Sequence, residues 1–165
     1  MKYNLELLRA DIEDELRKIA RLERAFGEAE LKLALPPEQV GGYDRAAIGY
    51  FLHNFYNGCE NIFRSIARFF ENDLGPQTWY TDLLKRMKLD IENYRPAVID
   101  EELYLLLEDF RGFRHVFRHS YSFELDWERE RLVARKFRRT AAMLRDQVEE
   151  FLMLLVAMDG APMSD

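Results

Sequence analysis

Three arginines and two histidines fall within the nine residues Arg111 to His119, without one acidic residue among them. The whole chain carries 24 Lys and Arg against 30 Asp and Glu, a formal charge of −6, so this stretch is a local reversal of sign. The two residue types suit a phosphodiester. Arginine grips phosphate with a planar, always-charged fork, and histidine exchanges a proton near neutral pH. RNA brings its own nucleophile, the 2′-hydroxyl, so its cleavage needs only proton transfer and stabilisation of the extra negative charge. Arginine plus histidine is a sufficient set for that reaction without a metal. Basic helical faces more often bind than cleave, and binding alone stays open on these residues.

Other chemistries find less support. His53, His115 and His119 make no recognisable ligand set, because arginines crowd His115 and His119 where carboxylates would be expected, so no metal site is anticipated. There is no glycine-rich phosphate loop, no serine elbow and no dinucleotide-binding fingerprint, and Cys59 lacks an activating neighbour, so no cofactor is expected. A polar cluster, His53, Asn54, Asn57 and Glu60, interrupts an otherwise aromatic-rich stretch. Asn57 and Glu60 are one helical step apart beside core residues, and read either as a buried hydrogen-bonded pair or as part of a site.

The elements that must position these residues are helical. In the central stretch Phe110, Phe113 and Phe117 recur at helical spacing, with Arg111, Arg114 and Arg118 one residue later, which separates an apolar stripe from a cationic one. Leu103, Leu106 and Leu107 extend the apolar stripe back to a cap at Asp100. Before it, the pattern predicts a long helix from Asn4 to about Leu35, stopped by Pro36-Pro37 and the Gly41-Gly42 connector. A second helix is expected from Tyr43 to about Glu71, and a shorter one from Thr78 to near Asn93. After a lapse at residues 122–126, one last helix is expected from Trp127 to Met158.

The expectation is a single all-α domain, an up-and-down bundle. Positive charge concentrates in residues 111–145, where ten Lys and Arg face four Asp and Glu. The longest apolar run, Phe151 to Met158, is far below the roughly 20 residues that span a bilayer, so no membrane segment is expected. One cysteine and no apolar signal core point to the cytoplasm.

The segment Arg114, four residues, His119, Ser120, Tyr121 resembles the R-x4-6-H motif of the HEPN superfamily, and more closely the R-x4-H-x-Y form of HepT-like toxins. Only Arg114 with His119 has that spacing; Arg111 leaves three intervening residues to His115 and seven to His119. The segments Tyr56 to Phe63, Trp79 to Met87 and Glu124 to Trp127 are similar as well, so the resemblance covers roughly Tyr43 to Met158.

The resemblance implies an HEPN-like helical bundle with a core at residues 43–158, preceded by an N-terminal helix and Pro/Gly linker at 1–42 that exceeds the short family core. It implies a homodimer whose motifs face each other to form a metal-independent endoribonuclease site. Arg114 and His119 would be catalytic, with Arg111, His115, Arg118, Asn57 and Glu60 binding substrate. It further implies a minimal nucleotidyltransferase antitoxin that AMPylates the motif tyrosine, here Tyr121. The alternative is a non-catalytic HEPN dimer that binds RNA or protein, including as the neutralising half of a pair. Each key residue also has an ordinary reading: Arg114 on a solvated basic face, His119 closing a helix, Tyr121 as an interface aromatic.

Overall fold

The computed structural model describes residues 2–70 and 83–160, apart from the side chains of residues 2, 3 and 122. Helix α1 spans Lys2–Leu33 and α2 Gly42–Phe70, with a 3-10 turn at Pro37–Gln39 between them. Residues 83–87 are helical. Helix α3 spans Glu101–His119, a second 3-10 turn covers Ser122–Glu124, and α4 (Trp127–Arg135) and α5 (Phe137–Asp159) complete the bundle. Among the described residues there is no strand, only an isolated bridge between Ile91 and Arg95. No described helix is long and apolar enough to cross a membrane.

Helix α3 starts where its cap dictates. The Asp100 carboxylate accepts from the Leu103 N–H at 2.8 Å, and Glu101 and Glu102 place negative charge on the first turn, where the helix dipole favours it. Its apolar stripe, Leu103, Leu107, Phe110 and Phe113, is buried against α2 and α5. A chain of edge-to-face phenylalanines ties four helices together. Phe26 of α1 meets Phe137 of α5 at 4.6 Å, Phe137 meets Phe55 of α2 at 5.1 Å, and Phe55 meets Phe110 of α3 at 5.1 Å. Helix α1 lies closely on α2 because Gly58 has no side chain: a Cβ there would stand 3.2 Å from Ile19.

Two expected helices are corrected. The short helix was to run to Asn93, and its anticipated start at Thr78 and the turn at residues 72–76 lie outside the described residues. The helical conformation ends at residue 87, and Asn93 turns back with a φ of 60°, a left-handed conformation that asparagine tolerates. The cause is Arg95. Its buried guanidinium donates to the carbonyls of Arg86 at 2.9 Å and Leu89 at 3.1 Å, taking up acceptors that a helix end leaves open.

The single helix expected over Trp127 to Met158 is two. The Lys136 N–H reaches back to Val133 O at 3.0 Å, a three-residue closure, and Lys136 O then accepts both the N–H and the hydroxyl of Thr140 at 2.9 and 2.7 Å. The break redirects the chain so that Phe137 enters the core between Phe26 and Phe55.

Candidate functional site

Arg114 follows Phe113 at the edge of the buried face of α3, and is therefore carried against α2 instead of outward to solvent. It is 9% exposed. Its Nη1 forms an ion pair with Glu60 Oε2 at 2.5 Å and donates a hydrogen bond to Asn57 Oδ1 at 3.0 Å. The guanidinium carbon stands 4.5 Å from the centre of the Tyr56 ring, whose hydroxyl is raised well above its ordinary range, by burial first and then by the Glu60 charge. The second oxygen of Glu60 pairs with Arg64. Among the described residues Nε and Nη2 of Arg114 make no hydrogen bond, so one edge of its fork is uncommitted.

Asn57 joins this pair to two further groups. Its Oδ1 also accepts from Arg118 Nη2 at 3.4 Å, and its Nδ2 stands 3.1 Å from His53 Nε2. With Oδ1 occupied by arginines, the network assigns Nδ2 as donor and His53 Nε2 as acceptor, which puts the imidazole proton on Nδ1. Burial, then the charges of Arg118 and Arg114, lower the pKa of His53 and favour this neutral ring. The ring leans on Phe117 at 5.4 Å, and Phe117 stacks on Phe113 at 5.8 Å.

The remaining sequence-derived residues stand apart from this cluster. Arg111 is held by Glu108 at 2.9 Å on its own helix. His115 and His119 are exposed and lie against each other, ring centres 4.8 Å apart. Five residues of helix rotate His119 about 140° from Arg114, so within one chain the two point in different directions. Tyr121 lies beyond the Ser120 cap, 70% exposed, with its ring parallel to that of Phe123. The structure thus gathers Arg114, Arg118, Asn57 and Glu60, and separately pairs His115 with His119. The part of His53 in holding Asn57, and of Tyr56 beneath Arg114, was not anticipated from sequence. The signal was the continuation of the polar cluster along one stripe, His53, Asn57, Glu60, Arg64. Among the described residues no three His, Cys, Asp or Glu side chains gather so as to hold a metal ion.

The family model for HepT-like protein matches residues 47–155, about two thirds of the chain. The chain belongs to the HepT-like family. The matched span contains most of α2 and all of α3 and α4, with α5 to residue 155, and it leaves α1 outside. Comparison with curated proteins and with solved structures gives no match.

One further ionisable group backs the site of this HepT-like chain. Glu130 of α4 is buried beneath Phe117 and Gly49; a Cβ on Gly49 would stand 2.9 Å from Phe117 and 3.2 Å from Glu130 Oε1, so this corner closes only over a glycine. Among the described residues neither carboxylate oxygen makes a well-formed hydrogen bond. Burial pushes the carboxyl up to about 8; the Gly49 amide and the Arg45 charge oppose that only in part. The folded protein therefore keeps a proton on Glu130 that the unfolded chain releases near the ordinary value of 4.5. Between those limits the folded state binds more protons, so this group's contribution to stability falls as pH rises through the window. Glu130→Gln is expected to be more stable than the parent at pH 8, with the difference shrinking toward pH 5, in urea unfolding at each pH. A difference independent of pH contradicts the assignment.

Proposed function

We propose that this HepT-like chain is the toxin of a toxin–antitoxin pair, a metal-independent RNA endonuclease whose site uses Arg114 and His119. The observation that carries the reading is the state of Arg114. Glu60 and Asn57 clamp Nη1, which fixes the guanidinium plane and leaves the Nε and Nη2 edge for a phosphate oxygen. In the reaction the substrate 2′-oxygen bonds to phosphorus as its proton departs to a base, and the bond from phosphorus to the 5′-oxygen breaks. His119, exposed at the last turn of α3, handles the proton that the leaving oxygen gains. Arg114 offsets the additional negative charge. Arg111, His115 and Arg118 position neighbouring phosphates, while Asn57 and Glu60 act on the substrate through Arg114.

The divergence of Arg114 and His119 on α3 supports a shared site. In a homodimer that apposes the 111–121 stretches, the arginine of one chain meets the histidine of its partner, an isologous contact that makes two equivalent sites. A second reading, a dimer that binds RNA or protein without cutting, draws on the same ion pair, because Glu60 already offsets much of the Arg114 charge.

Incubation of the purified chain with structured RNA at neutral pH in EDTA is expected to give 2′,3′-cyclic phosphate ends. His119→Ala lowers the rate by roughly 10²–10⁴ with the fold intact, and His115→Ala has a much smaller effect. Retention of RNA without cleavage favours the binding module. Equal losses in the two variants contradict the assignment of His119.

The antitoxin in this reading is a minimal nucleotidyltransferase that AMPylates Tyr121. The exposed tyrosine oxygen attacks the α-phosphorus of ATP and releases pyrophosphate, leaving a negative phosphodiester two residues from His119 and close in sequence to Arg118. That charge competes with RNA phosphate for the arginines. Co-expression with a neighbouring nucleotidyltransferase is expected to add the mass of one AMP at Tyr121, with loss of RNA binding and cleavage. A chain that gains no mass, or gains it equally in Tyr121→Phe, contradicts this role.

A further inference from the structure

Beyond the helix that carries the arginines, two aromatic rings lie open to solvent. Phe123 is 82% exposed and Tyr121 70% exposed. Their planes differ by 3° and their centres are 5.4 Å apart, so they form one offset, nearly parallel stack in place of two independent side chains. The stack stands immediately after Arg118 and His119, at the end of the basic stretch, on the 3-10 turn that packs against α2. A phenylalanine this exposed gains nothing from the core of its own chain. Its apolar face beside cationic side chains matches what unpaired nucleotides present, flat bases strung on a negative backbone.

We propose that Phe123, with Tyr121, is a stacking subsite for an unpaired RNA base next to the scissile phosphate, making single-stranded RNA the preferred substrate of this chain. This rests on the RNA reading given above and extends it to the class of RNA. Charge complementarity selects the occupant: phosphates flanking the stacked base fall to Arg118 and to the His115–His119 pair, whereas a purely apolar protein partner would leave those groups unmatched. Bases inside a duplex are stacked on their neighbours and present no free face, so the stack discriminates strand state with no contact to a base edge.

The test uses the full-length chain carrying His119→Ala, so that RNA is bound and not consumed, with a labelled single-stranded RNA decamer and the same sequence as a duplex. Phe123→Ala is expected to weaken single-strand binding by roughly 5- to 150-fold, the usual cost of losing one stacked base, while Phe123→Trp keeps it. Duplex binding and the slope of log affinity against log salt should stay unchanged, since the ring neutralises no phosphate. Arg118→Ala should instead lower that slope by about one. Equal single-strand affinity in the parent and Phe123→Ala overturns the subsite while leaving the RNA reading intact. So does a Phe123→Ala protein that falls to half the parent mass by light scattering, which would make the rings a contact between copies. A parent that binds neither RNA form overturns the RNA reading itself, and the subsite with it.

Discussion

The ion pair between Glu60 on α2 and Arg114 on α3, at 2.5 Å, is the contact on which the site depends. Both side chains are close to nine-tenths buried, and withdrawing two charges from water is costly, so such a pair is a poor source of net stability. Its surroundings offset much of that cost: Asn57 accepts a hydrogen bond from the same nitrogen, Tyr56 lies under the cation, and Arg64 occupies the other carboxylate oxygen. Removing one partner alone would strand a charge, typically a loss of roughly 3–5 kcal/mol. The pair therefore holds α3 against α2 at one rotation, and that rotation decides which of the remaining side chains face outward.

The core sets the same relation from the other side. Phe55 sits between Phe110 and Phe137, so α3 and α5 are both referenced to α2, and Phe26 brings α1 to the far side of Phe137. Gly49 lets Phe117 and Glu130 close on α2 one turn before His53, and Phe117 supports the His53 ring that holds Asn57. Packing and hydrogen bonding thus converge on one orientation of the arginines, which is what rigid presentation to a phosphate requires. Protonation of His53 would replace its acceptor with a second donor facing Asn57, so the arrangement belongs to the neutral ring.

Much of this was legible in the residues. Apolar periodicity marked α1, α2 and α3 to within a few positions, and Asp100 announced its cap, because those signals are local. Motif spacing singled out Arg114 and His119 and pointed to the family whose model covers residues 47–155. The break at Lys136 was hidden, since no proline or glycine marks it and the cause is the tertiary demand on Phe137. The early end of the helix before Asn93 was hidden for a similar reason: Arg95 reads as surface charge until its buried carbonyl partners are seen. Glu130 lies in an alternating acidic and basic run that reads as solvated, and only the approach of α4 to Gly49 buries it. The polar interruption at Asn57 and Glu60 was visible; the arginine it serves, 57 residues from Asn57, was not.

The central claim is that Arg114 of one chain works with His119 of another. Purified Arg114→Ala and His119→Ala proteins, each inactive alone, are to be mixed under conditions that exchange subunits and assayed for RNA cleavage. In a heterodimer one site loses both groups and the other keeps both, so random exchange predicts about one quarter of the parent activity, from half of the dimers with one intact site each. A mixture as inactive as its components, or a parent that runs as a monomer at micromolar concentration, would contradict the account.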